Sequence, residues 1–93
     1  MKIIIDDEVI KVIQRSKRKE VIIDFIPKKN VDLISLKQYG NEIHFEARTN
    51  KTVSKRSLLN GIGFSKREEV ELNLNKIQIK NEFESYKVII PYR

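Results

Sequence analysis

The sequence predicts an all-β domain built as an antiparallel β-sandwich. Three short β-forming runs follow one another between Glu20 and Arg48: Glu20 to Pro27, Val31 to Leu36, and Tyr39 to Arg48. Pro27 and then Gly40-Asn41 punctuate them, as in an antiparallel meander. The 93 residues suit one domain, and at this length roughly two-thirds of the unfolded chain's surface can be buried in a single core.

From the start of the chain, Ile3-Ile4-Ile5 precedes Asp6-Asp7-Glu8, and Val9 to Ile13 comes next. β-branched residues lose rotamer freedom in a helix and fit a pleated surface, so this reads as a strand, an acidic turn and a second strand. The alternative is an α+β fold with an N-terminal helix over 7–18, capped by Asp6 or Asp7, with Val9, Ile10 and Ile13 on one face. Gln14 to Lys19 is polar and positive and reads as a connection. Val21, Ile23 and Phe25 then face one way while Ile22, Asp24 and Ile26 face the other. Both faces are largely apolar, which predicts a central strand, ended by Pro27.

After Lys28-Lys29-Asn30 comes a strand from Val31 to Lys37, and Gln38 to Asn41 supplies the residues of a tight turn with positive φ. Ile43, Phe45 and Ala47 face the core and Glu42, His44 and Glu46 face out. Arg48 to Arg56 reads as a long polar loop, Ser57 to Phe64 as a strand weakened by Gly61 and Gly63. Ser65 and Glu68 have capping-box spacing, enough for one helical turn, before Val70, Leu72 and Leu74 return to strand period. A turn or bulge at Asn75-Lys76 absorbs a switch of parity ahead of Ile77 and Ile79. Lys80 to Ser85 reads as a turn carrying one aromatic, Phe83. Tyr86 to Ile90 is the last strand, stopped by Pro91.

With no cysteine, disulfides and thiolate metal sites are excluded and stability has to come from packing or self-association. Three apolar residues before Asp6 fall far short of a signal-peptide core, and no later stretch reaches membrane-spanning length. A cytoplasmic protein without a membrane partner is the expectation. The net charge of +6 raises a polyanionic partner. The positive clusters, all expected between strands, place Arg15, Lys17, Arg18, Lys19, Lys51, Lys55 and Arg56 as candidate polyanion contacts, with Lys28-Lys29 and Lys66-Arg67 beside them. Tyr39, Phe64, Tyr86 and Tyr92 could stack on bases, although no RNP-like, KH or helix-turn-helix pattern accompanies them.

No catalytic constellation emerges. His44 is the sole histidine, and Glu42 and Glu46 on its strand face are spaced too widely along one strand to converge on an ion. Asp6, Asp7 and Glu8 read as a solvated turn, because a perturbed acid needs burial. With one histidine on a glutamate-rich face no Ser-His-Asp arrangement can be drawn, and Gly61-x-Gly63 is no phosphate loop. Neither a cofactor nor a metal is expected. What the sandwich does offer is open strand edges and an inter-sheet groove able to accept an extended segment.

Residues 20–91 resemble the α-crystallin domain of the small heat-shock proteins, in the wider Hsp20-like group that includes the p23 co-chaperones. The likeness is carried by Val21 to Pro27, by Val31 to Leu36, by the hairpin Gly40 to Arg48, by Ile62-Gly63-Phe64, and by Lys80-Asn81 leading to Lys87 to Pro91. The chain departs from the family at Glu82 to Tyr86, where a Gly-Val-Leu is usual, and at Phe64-Ser65, which lacks the proline. No Ile-x-Ile or Ile-x-Val anchor follows Pro91 and no long N-terminal arm precedes the domain, so a monomer or homodimer is expected. The polar 48–56 loop lies where microbial members exchange a strand between partners.

The resemblance implies a groove bordered by Ile62, Phe64, Val88 and Ile90 that receives apolar segments of a protein partner or client. Small Gly61 and Gly63 would leave room for it. The functional expectation is therefore a non-enzymatic protein-interaction module, chaperone-like in a stress response. The alternative is a small basic nucleic-acid-binding protein.

Overall fold

The structure is a computed structural model that describes residues 1–40, 42–51, 53–58, 66–82 and 85–93. Among the described residues there are eight strands: β1 (Lys2–Asp6), β2 (Ile10–Ser16), β3 (Glu20–Pro27), β4 (Asp32–Tyr39), β5 (Glu42–Arg48), β6 (Val53–Leu58), β7 (Gln78–Glu82) and β8 (Ser85–Pro91). A short helix, α1 (Lys66–Glu71), and a 3-10 turn at Leu74–Lys76 lie between β6 and β7. The pairings between these strands are antiparallel, and the fold is all-β.

The strands form a five-stranded sheet in the order β1-β2-β3-β8-β7 and a three-stranded sheet in the order β4-β5-β6. One core serves both. Ile10 and Val12 of β2, Val21, Ile23 and Phe25 of β3, and Val88 and Ile90 of β8 meet Leu36 of β4 and Ile43, Phe45 and Ala47 of β5, all buried. The Phe25 and Phe45 rings join the layers edge to face, their centroids 5.3 Å apart. Such a pair adds to the transfer free energy of two fully buried aromatic side chains.

β3 is the middle strand of its sheet, bonded to β2 over Val21–Pro27 and to β8 over Glu20–Phe25. Its inward residues Val21, Ile23 and Phe25 are buried in the core, whereas on the outward face Ile22 is buried and Ile26 is 47% exposed. β5 is central in its own sheet, with alternate residues buried. The β4–β5 turn carries Gly40 at φ 61°, the left-handed conformation glycine adopts without strain. β8 and β3 both end on prolines, Pro91 and Pro27.

Several segments differ from the sequence reading. Residues 10–16 are β2, not a helix, and Gln14, Arg15 and Ser16 belong to the strand rather than to a connection. The expected 48–56 loop is mostly β6, paired to β5 from Val53 to Leu58, which leaves only a short connection after Arg48. Lys55 and Arg56 are strand residues opposite Glu46 and Phe45, and Lys66 and Arg67 open α1, so these basic residues do not lie in loops. Of the predicted strand at 57–64, residues 59–64 fall outside the described residues, as do Ser65, Asn41 and Phe83.

Val70 to Leu74 alternates like a strand yet contributes the end of α1, one isolated bridge from Leu72 to Tyr92, and the start of the 3-10 turn. Leu72 is fully buried and Leu74 partly buried against the core, while Val70 is 71% exposed, so the alternation holds for only two of its three residues. Lys80, Asn81 and Glu82, expected in a turn, complete β7.

Candidate functional site

The described surface offers three places where a partner could engage. The first is the outer face of the five-stranded sheet. Register puts Ile3 opposite Ile13, and Ile22 opposite both Arg15 and Ile89, all on the side away from the core, with Ile26 diagonal to Ile13. Ile22 is only 6% exposed even though it faces outward. Its cross-strand neighbour Arg15 reaches diagonally to Asp24, Nε to Oδ2 at 2.7 Å and Nη2 to Oδ1 at 3.4 Å, so that the arginine stem runs beside the isoleucine. Ile3 and Ile26 stay 53% and 47% exposed. Among the described residues β1 is an outermost strand, and its bulge between Ile3 and Ile5 leaves Ile3 at the margin of this apolar face.

The second place is an open cleft of about 410 Å³ at one end of the molecule. Three connections far apart in sequence build it: Glu8 and Val9 from the β1–β2 turn, Lys29, Asn30 and Val31 from the β3–β4 connection, and Thr49, Asn50 and Lys51 from the β5–β6 connection. Local bonds fix each wall. Asp7 Oδ1 accepts from the amides of Val9 and Ile10 at 2.8 and 2.9 Å, an Asx turn.

Lys28 N donates to Val9 O at 3.0 Å and Val31 N to Lys28 O at 3.1 Å, with Asn30 at φ 63° between them. Lys51 N donates to Thr49 Oγ1 at 3.2 Å. Across the first two connections Lys28 Nζ donates to Asp6 Oδ1 at 2.8 Å, and this bond, with the lysine's charge, holds the Asp6 carboxyl below the usual aspartate range.

The third place is the opposite end, where the β2–β3 turn presents Lys17, Arg18 and Lys19, all exposed. Tyr92 N donates to Lys19 O at 3.0 Å and Arg93 N to Glu71 O at 2.9 Å, which brings the turn, the last residues and α1 together.

Val88 and Ile90 are 0% exposed and sit in the core, on a strand paired on both sides. Ile62 and Phe64 lie outside the described residues. Of the expected polyanion contacts, Arg15 is committed to Asp24, Lys17, Arg18 and Lys19 share one exposed turn, and Lys51 lies at the far end on the rim of the cleft. On the outer face of the three-stranded sheet, His44 Nε2 lies 2.9 Å from Glu42 Oε2 and its ring 5.0 Å from that of Tyr39.

Among the described residues no group of three or more His, Cys, Asp or Glu could hold a metal ion, and no helix is long and apolar enough to cross a membrane. The outer isoleucine face and the cleft escaped sequence reasoning. The only hint of the first was the apolar second face of residues 21–26, and nothing local signalled the second. Set against protein-family models, curated proteins and solved structures, the chain matches none of them.

Proposed function

We propose that this protein is a non-enzymatic protein-interaction module of the Hsp20-like kind, working in the cytoplasm as a holdase that takes up extended apolar segments of unfolding proteins. The observation that carries this reading is the isoleucine face running out to β1, with Ile3 half-exposed at the margin. An incoming strand would pair with the outer edge of β1, and its alternate side chains would extend the Ile3–Ile13 row. The residues behind the family resemblance also fit: two strands end on Pro27 and Pro91, and the β4–β5 hairpin turns at Gly40.

The test is suppression of aggregation of a thermally unfolding client by excess protein, with Ile3→Lys as the comparison. Ile3 is too exposed for the change to unfold the domain, and a lysine on an edge strand opposes pairing. Loss of suppression in the variant is the expected result. No suppression by the unaltered protein for any client at excess would defeat the holdase reading.

A second reading, nucleic-acid binding, is favoured by one observation: the exposed Lys17, Arg18 and Lys19 in a single turn near Arg93. It predicts binding to generic DNA or RNA that falls steeply with salt, since neutralised phosphates release counterions. Capture of apolar clients would be nearly insensitive to salt.

A further inference from the structure

We infer that the cleft between the β1–β2, β3–β4 and β5–β6 connections is a binding site for a small amphipathic anion: a carboxylate or phosphate ester on a short apolar stem. The floor is apolar, supplied by Val9 and Val31, both partly buried against the core. The rim is polar and carries Lys29 and Lys51, two exposed lysines on separate connections. Unlike Lys28, which is bonded to Asp6, neither forms an ion pair among the described residues. Asn30 and Asn50 add amide groups that can donate or accept, and Glu8 is the single acidic group of the lining. The rim therefore carries a net positive charge over an apolar base.

The volume, about 410 Å³, lies within the ordinary range for ligand sites. The walls are also fixed in advance. The Asp7 side chain holds Val9, the turn from Lys28 to Val31 holds Asn30, and the Asp6–Lys28 pair ties the two connections together. A ligand would find the site formed and would not have to order it, which lowers the entropic cost of binding. An anionic head between Lys29 and Lys51 with its stem directed at Val9 and Val31 uses both features.

The test is a titration of the isotope-labelled protein, followed by amide chemical shifts, with hexanoate, hexyl phosphate, hexanol and hexylammonium. Hexanoate or hexyl phosphate should shift the amides of Val9, Asn30, Val31, Asn50 and Lys51 at roughly millimolar concentration. Which of the two binds more tightly identifies the head group. Hexanol should bind more weakly.

The double variant Lys29→Gln with Lys51→Gln should lose about three- to tenfold in affinity for the anions, the range expected of partly exposed charge pairs, and leave hexanol unchanged. Both lysines are exposed, so the variant keeps its fold, which the same spectra verify. The proposal is overturned if neither anion shifts these amides, if hexanol or hexylammonium binds as tightly as the anions, or if the double variant binds them undiminished.

Discussion

Asn30 holds φ at 63° in the turn that forms one wall of the cleft. Asparagine tolerates this left-handed region and a β-branched residue does not. Asn30→Gly should therefore leave stability within a few tenths of a kcal/mol, whereas Asn30→Val should cost about 1–3 kcal/mol in urea denaturation. Asp6 gives the chain a pH-dependent contact. Its carboxyl is held below its ordinary range first by the hydrogen bond from Lys28 and then by that lysine's charge.

A depressed folded value stabilises the protein above the unfolded aspartate value, about pH 4, and the contribution fades as pH falls through the folded value. Lys28→Met should thus lower stability above about pH 4 and converge with the unaltered protein in stronger acid, read from denaturation midpoints across pH. These residue-scale features were half legible. Asp6-Asp7-Glu8 reads from sequence as a solvated turn; Asp6 instead closes β1 and Asp7 is partly buried, and the bond of Asp6 to Lys28 joins residues 22 positions apart and leaves no local trace.

Elements that carry their own pattern were readable, and those held in place by neighbours were not. β3 shows two apolar faces and is central; β5 alternates cleanly and has alternate residues buried. β6 has the sequence Val-Ser-Lys-Arg-Ser-Leu, with little apolar periodicity, and it is a strand because β5 offers it a ladder. α1 is the reverse case. Six residues are too few for a stable helix alone, so α1 depends on the anchor directly after its last residue, Leu72.

Leu72 is fully buried, and its bridge to Tyr92 fastens α1 to the end of β8. Leu72→Ala should cost about 2–5 kcal/mol and raise hydrogen exchange in 66–71 before it does so in β2 or β3. Phe45→Ala removes the ring that meets Phe25 between the layers and should cost about 3–5 kcal/mol in the global transition.

At the scale of the molecule, chemistry is divided along a body 41 Å long and about half as wide. The cleft occupies one end, the Lys17-Arg18-Lys19 turn the other, and the isoleucine face runs along one side. If client capture at β1 and polyanion attraction at the basic turn are independent, Lys17→Glu with Lys19→Glu should weaken retention on heparin while aggregation suppression stays unchanged. None of this zoning is contained in the net charge, because a sum over the chain carries no position.

Strand order also constrains the chain at birth. β8, residues 85–91, fills the slot between β3 and β7, so during translation β3 has no neighbour on that side until residues 85–91 have left the ribosome. The nascent β1–β2–β3 hairpins would meanwhile leave the backbone edge of β3 from Glu20 to Phe25 unpaired. Slowing translation ahead of residue 85 should therefore increase aggregation of the chain, read as the insoluble fraction after synthesis.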